Sequence, residues 1–484
     1  MNSMHLPVHQ LRADLDAKKY SAQELASSYM KRIHETQKTL NAFITVLSDE
    51  EVGKRAAYAD ELMRVGKTSF LTGIPYAAKD IFLTRGIRTT AASKILKEYV
   101  ATYDGTAIEK SADAVLLGKA NLDEFAMGSS NEYSAFGPVK NPYSLEHVPG
   151  GSSGGSAVAV ASQQAAFAFG TDTGGSIRLP AGFSSVVGFK PTYGRISRYG
   201  VIAMDSSLDT VGFLTQDVRD SAMLLEALAG RDERDSTTID RPVEKYSEGM
   251  EDGVAGMRIG IPKEYFEVDG VQEPVRRSIE DIRALLESLG ATVQEVSLPH
   301  TRYAMAAYYI LTPSEVSSNL AKFDGIRYGT RPLNAKNLDE IYLETRENGF
   351  GKEAKRRIML GAFTLSSNHI DSYYNKALKV RRLAAQDFEN VFKEVDMIVC
   401  PTTPTVPFKL GERMTDPVSM YVADSLTIPT SLAGVPALSL PVASHNNLPI
   451  GAQCIARLFD ERTLFRVART IERELQWTKP RLAI

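Results

Sequence analysis

Apolar residues recur along this chain with two spacings. Between Ser21 and His34 they fall four apart, with Leu25, Tyr29 and Ile33 on one helical face. Ser21 followed by Glu24 has the form of a capping box, so residues 1–70 read as an N-terminal helical segment. From about residue 73 to 214 the pattern changes to short continuous apolar runs separated by Gly- and Ser-rich turns. Residues 74–78 and 114–117 predict strands, and their lack of alternation suits a sheet covered on both faces. Asn121 with Glu124 predicts a cap on a short helix ending before Gly128, and 217–228 predicts an amphipathic helix stopped by Gly230. The charged stretch 231–255 reads as a surface connection. Beyond it, 257–261 predicts a strand, 275–289 a helix, 342–392 a largely helical region and 397–399 a strand, while Pro401, Pro404 and Pro407 mark a loop. Strands and helices alternate throughout, which predicts an α/β class around a largely buried sheet. Residues 71–484 are expected to form one large domain, with a weak discontinuity near 235. No repeat at a fixed period interrupts this reading.

Composition removes several classes. The 484 residues carry a net charge of -3, without the basic bias of a nucleic-acid-binding surface, so no direct tRNA binding is expected of this chain. Two cysteines, Cys400 and Cys454, are too few for a disulfide framework and read as unrelated core thiols. The most apolar stretch, 157–169, is broken by Ser162-Gln163-Gln164, short of the roughly 18 residues a membrane span needs. The start, Met1-Asn2-Ser3-Met4-His5, has neither an apolar signal core nor an Arg-rich presequence, so a cytoplasmic setting is expected, with an organelle left open.

Two Gly/Ser clusters carry the candidate chemistry: Gly150-Gly151-Ser152-Ser153-Gly154-Gly155-Ser156, and Thr171-Asp172-Thr173-Gly174-Gly175-Ser176. Flexible turns are one reading. The other is a backbone that approaches a ligand closely and turns consecutive N–H groups toward an anion. A phosphate loop lacks its Gly-Lys-Ser/Thr ending. Gly150-Gly151-Ser152-Ser153-Gly154 formally matches the Gly-x-Ser-x-Gly nucleophile elbow, but residues 141–149 before it read as a loop, and His300, His369 and His445 carry no recognisable signature. A serine without histidine needs another base. Lys79 ends an apolar strand, where burial would lower its pKa toward the neutral amine, although a lysine paired with Asp80 is the plainer alternative.

Lys79, the Gly-Gly-Ser-Ser-Gly-Gly-Ser run and the Gly-Gly-Ser-Ile-Arg run together resemble the amidase signature family. Residues 121–130, 190–195, 314–320 and 355–361 draw the likeness toward its glutamine-hydrolysing members that serve tRNA-dependent amidotransferases. The resemblance implies a large twisted mixed β-sheet covered by α-helices on both faces. It implies Ser176 as nucleophile, Ser152 as bridging serine after a cis peptide from Gly151, and Lys79 as base. The N–H groups of Thr173, Gly174, Gly175 and Ser176 would receive the oxyanion. Asp172 and Arg178 would brace that loop. For glutamine it points to Arg357 at the α-carboxylate and Asp424 at the α-ammonium, with Tyr308 and Ser129 nearby. Arg356 beside Arg357 and Tyr309 beside Tyr308 leave each pair open. The implied partners are a B-type subunit that binds tRNA, ATP and Mg, and a small C-type subunit, with no cofactor in this chain. Ala181-Gly182-Phe183-Ser184-Ser185 and Met204-Asp205 depart from the family pattern, which bears on the pocket rather than on the catalytic three. A free-standing amidase for a small or aryl amide, and a scaffold with a decayed site, are the competing readings.

Overall fold

Continuous runs of small and β-branched residues form the inner strands of one 11-stranded sheet in the computed structural model, which describes residues 6–268 and 270–484. Met1–His5, the stretch that bears on targeting, and Asp269 lie outside the described residues. The strands are β1 (Phe43–Val46), β2 (Pro75–Lys79), β3 (Val115–Ala120), β4 (Phe167–Asp172), β5 (Val187–Lys190), β6 (Thr210–Thr215), β7 (Arg258–Pro262), β8 (Thr292–Val296), β9 (Met397–Pro401), β10 (Ala437–His445) and β11 (Leu448–Ile455). Their order is β1-β3-β2-β4-β6-β5-β10-β11-β9-β7-β8. Both pairing senses occur: β3, β2 and β4 run parallel, as do β9, β7 and β8, while the strands between them are antiparallel. Every residue of β2 to β6, of β9 and of β11 is buried, whereas β1, β7 and β8 toward the edges are partly exposed. That is the burial of a sheet covered on both faces, and it explains why the inner strands read as unbroken apolar runs.

The expected N-terminal helix is Ala22–Leu40, six residues longer than its periodicity suggested. Ser21 Oγ accepts from the Glu24 N–H at 3.1 Å and Glu24 Oε2 accepts from the Ser21 N–H at 2.8 Å, closing the capping box. Leu25, Tyr29 and Ile33 are fully buried. Asn121, in contrast, caps nothing. Its amide donates to the carbonyls of Asn41 and Gly137, while the buried Glu124 accepts from Ser93 and from the Gly351 N–H, so tertiary contacts claim both side chains. Only the single 3₁₀ turn Glu124–Ala126 remains. Four of the strands, β2, β3, β7 and β9, correspond to expected ones, and the other seven do not. β1 lies inside the segment read as helical, and the β10–β11 hairpin turns at Asn446 and Asn447, whose φ values of 52° and 64° are the left-handed pair of a type I′ turn. Cys400 and Cys454 sit on neighbouring strands but out of register, in different core clusters, and both are free thiols. Among the described residues no helix is long and apolar enough to cross a membrane.

Candidate active site

The parallel pairing of β2 with β4 decides where the chemistry gathers. Ala78 registers with Phe169, so the carboxyl ends of the two strands lie side by side and Lys79 meets Thr171, 92 residues away in sequence. The helix Gly154–Ala161 leads into β4, and Ser152 and Ser153 precede its first turn, so this serine pair is delivered to the same end of the sheet. The peptide between Gly151 and Ser152 is cis, as the resemblance implied. Carboxyl ends of parallel strands are where open α/β sheets place their ligands.

Lys79 is fully buried there. Its Nζ lies 2.7 Å from Ser152 Oγ, 2.8 Å from Ser153 Oγ and 3.0 Å from Thr171 Oγ1. Three hydroxyls surround the amine. Burial pulls its pKa down to about 7, against an opposing pull from the charges of Asp123, Asp209 and Asp172. The alternative partner, Asp80, belongs elsewhere: it faces Lys119 Nζ at 3.5 Å and accepts from Thr90. A lysine in this setting holds a neutral fraction at neutral pH and can take a proton from a hydroxyl it already touches.

Ser176 lies across from this cluster, its carbonyl accepting from the Ser153 N–H at 3.0 Å. At 7% exposure it is more open than the fully buried Lys79 and Ser152, and its hydroxyl has no hydrogen-bond partner among the described residues. Nor do the backbone N–H groups of Thr173, Gly174, Gly175 and Ser176 donate to any protein acceptor among them. Four adjacent free amides beside a hydroxyl that no described protein group holds are an arrangement able to receive negative charge on an attacked carbonyl. Glycine is required at the centre of this loop. A Cβ on Gly174 would reach 2.7 Å from the Tyr308 ring, and one on Gly175, where φ is +144°, would overlap the Thr427 hydroxyl.

The loop is anchored at its base by charge. Arg178 donates through Nε and Nη2 to Asp172, both at 2.9 Å, and further to Thr430, Ser431 and Gln453. Asp172 also accepts from the Ile177 and Arg178 N–H groups, each at 3.3 Å, and the guanidinium holds its carboxyl below the usual range against the upward push of burial. Removing one member of a buried pair strands the other charge, so Arg178→Met is expected to destabilise the fold by about 3–5 kcal/mol in denaturant titration.

Residues expected to bind a substrate's polar end converge next to this loop. Asp424 Oδ2 accepts from Ser129 Oγ at 2.9 Å, and Tyr309 donates to the same carboxylate at 3.3 Å. Burial raises Asp424 to about 7, with Ser129 and Arg357 opposing the rise. The side chain of Arg357 is 4% exposed and that of Arg356 42%, which separates the two arginines. Arg357 Nε donates to Glu353 at 2.8 Å and its guanidinium lies over the rings of Tyr309 and Tyr421, which stack 3.8 Å apart. Its two terminal nitrogens make no hydrogen bond among the described residues, leaving a fork of the kind that grips a carboxylate. Tyr308 and Tyr309 divide the work: Tyr308 packs against Gly174, while Tyr309 contacts Asp424 and Arg357.

Ser153 and Thr171 stand in the two Gly/Ser clusters without a role assigned from sequence, and Thr427, Glu353 and Tyr421 are not singled out there at all. Only Glu353, four residues before Arg357, left a signal there, the spacing of a helical ion pair. The elbow alternative lacks its strand, since residues 141–149 hold none, and the three histidines are engaged elsewhere, His300 with Asp387, His369 with Ser366 and His445 with Asn446.

The amidase family matches residues 24–465. Over 480 residues, 99% of this chain and 99% of the relative, the sequence is 50% identical to the A-type subunit of the glutamyl-tRNA(Gln) amidotransferase from Trichlorobacter lovleyi. The crystal structure of the corresponding glutamyl-tRNA(Gln) amidotransferase chain, also A-type, from Thermotoga maritima matches with a TM-score of 0.82 and 40% identity, covering 100% of this chain and 99% of that one. The native peptide amidase of Stenotrophomonas maltophilia matches with a TM-score of 0.86 and 29% identity over 100% of both chains.

Proposed function

The chain belongs to the amidase signature family, and from that premise we propose that it is the glutaminase subunit of a tRNA-dependent amidotransferase, supplying ammonia to convert misacylated Glu-tRNA(Gln), Asp-tRNA(Asn) or both. The observation that carries the chemistry is a buried amine among hydroxyls, beside Ser176 and four free amides. Neutral Lys79 takes a proton from Ser152 as Ser152 takes one from Ser176. The Ser176 Oγ bonds to the amide carbon of glutamine, and the carbonyl oxygen, now an anion, enters the amides of Thr173, Gly174, Gly175 and Ser176. The proton returns along the same relay to the leaving nitrogen, the C–N bond breaks, and ammonia departs from an acyl-serine. Water then attacks the ester with Lys79 again as base, releasing glutamate and restoring Ser176.

Glutamine is favoured over an apolar amide because the pocket offers a free guanidinium fork at Arg357 and a carboxylate at Asp424 held by Ser129. The first suits an α-carboxylate and the second an α-ammonium. Replacing Arg357 with Lys is expected to raise KM for glutamine by about tenfold to a hundredfold with a smaller change in kcat, since a charge-assisted contact contributes roughly 1.5–3 kcal/mol. Steady-state glutaminase kinetics read this directly.

The chain works within a multi-subunit amidotransferase. We assign tRNA binding, ATP and Mg to a B-type partner and the clasping of the pair to a small C-type partner, in the cytoplasm. The choice of tRNA belongs to the partner. The test is glutaminase activity of this chain alone and reconstituted with both partners, with Ser176→Ala as control. Stimulation by the partners supports the reading. Strong partner-free hydrolysis of aryl amides, with glutamine a poor substrate, would sink it in favour of a free-standing amidase.

A further inference from the structure

Thr427 immediately precedes the helix Ile428–Ala433, yet its hydroxyl does not cap that helix. Instead Oγ1 lies 2.6 Å from the Gly174 carbonyl and 2.9 Å from the Asp424 carbonyl. A threonine has one hydroxyl proton. Asp424 O already accepts from the Thr427 N–H at 3.0 Å, and the Gly174 contact is the shorter, so the proton goes to Gly174. In a trans peptide the C=O and the following N–H point in opposite directions. Holding the Gly174 carbonyl toward Thr427 therefore turns the Gly175 N–H to the other side. That amide is one of the four without a protein acceptor among the described residues. The peptide is gripped from both sides, since Tyr308 fills the space where a Gly174 side chain would be and Thr427 the space of a Gly175 side chain.

We propose that Thr427 is a positioning residue for the oxyanion hole, fixing the Gly174–Gly175 peptide so that the Gly175 N–H meets the charge that develops on the substrate carbonyl. It acts through the backbone and touches no reacting atom. Because it stands three residues from Asp424, the same short segment sets both the carboxylate that faces the substrate and the amide that faces its transition state. This inference rests on Ser176 as nucleophile and on residues 173–176 as the anion receptor.

The test uses the reconstituted enzyme with Thr427→Val, which keeps the shape and removes the donor, and Thr427→Ser, which keeps the donor. Three quantities are read. They are kcat for glutamine, the Kd of glutamine in a Ser176→Ala background, and the affinity of the boronic acid in which boron replaces the amide carbon of glutamine. With that probe the Ser176 oxygen donates a pair to boron, its proton passes to the relay, and the tetrahedral boronate places an oxygen in the hole. Thr427→Val is expected to lower kcat and boronate affinity together by roughly tenfold to a hundredfold, less than outright loss of a donor. Glutamine Kd should stay within about twofold, as the ground state barely uses the hole, and Thr427→Ser should recover near wild-type values. Unchanged kcat and boronate affinity in Thr427→Val would overturn the proposal. So would a loss of glutamine affinity equal to that of the boronate, which would make Thr427 a pocket support. Full activity in Ser176→Ala would instead overturn the nucleophile assignment, and this inference with it.

Discussion

Replacing Lys79 with methionine is expected to lower kcat for glutamine hydrolysis by about a thousandfold to ten-thousandfold while the protein stays folded. Methionine has nearly the same length and no charge, so it suits a fully buried site better than the ammonium it replaces. What is lost is the proton acceptor, and general acid–base groups contribute rate factors of roughly 10²–10⁴. The pH profile supplies a second readout. Lys79 is a base whose pKa burial lowers to about 7, so it is neutral above that value and carries a proton below it. Acidification therefore removes the reactive form, and kcat/KM should fall about tenfold per pH unit below roughly 6 and level off above about 8. Asp424, raised to about 7, gains its proton over the same interval and weakens the ammonium site, which steepens the acid limb. A Lys79→Met enzyme should lose the Lys79 component of that limb along with its rate. A flat profile between pH 5 and 8 in the wild type would contradict the base assignment.

The second large effect is expected from the serines, and their order matters. Ser176→Ala removes the bond-forming atom and should reduce turnover by at least about a thousandfold, since residues acting as one nucleophilic unit fail together. Binding of glutamine should persist, because Arg357, Asp424 and Ser129 are untouched. Ser152→Ala leaves the nucleophile in place but breaks the 2.7 Å link to Lys79 Nζ, and should also cost a factor of a hundred or more. Rapid-quench measurement of ammonia release, the product of the acylation step, separates the two, since an acyl-enzyme can still form slowly in Ser152→Ala and cannot form in Ser176→Ala. Turnover surviving in Ser176→Ala but absent in Ser152→Ala would restore the elbow reading, with Ser152 as the attacking group.

How much of this was legible in the sequence depends on the range of the interaction. The capping box at Ser21 and Glu24 is local chemistry and formed as read. Asn121 and Glu124 have the same spacing, but contacts with residues up to 227 positions away claimed them, and no local rule foresees that. The strand β1 was hidden because four residues after a long helix carry too little pattern of their own and are fixed by pairing with β3. The Asn446-Asn447 turn, by contrast, was a readable hairpin signal that went unread. Within the site, Ser152 and Ser176 stand out through their glycine-rich surroundings, Lys79 through its place at the end of an apolar strand, and all three through family likeness. Ser153, Thr171 and Thr427 are ordinary hydroxyl residues in sequence and acquire meaning only when β2, β4 and the 424–427 segment meet. The choice between Arg356 and Arg357 was likewise closed to the sequence, because burial distinguishes them and burial is set by Tyr309, Tyr421 and Glu353.

If glutamine passes through an ester on Ser176, that ester can be trapped by mixing the reconstituted enzyme with glutamine, quenching in acid within the first turnovers, and mapping the modified peptide by mass spectrometry. The expected result is a glutamyl group on the peptide carrying Ser176, fragmenting to that residue, present in the wild type and absent in Ser176→Ala and Lys79→Met. A glutamyl group on Ser152 or on either cysteine, or undiminished glutamate release by Ser176→Ala, would contradict it.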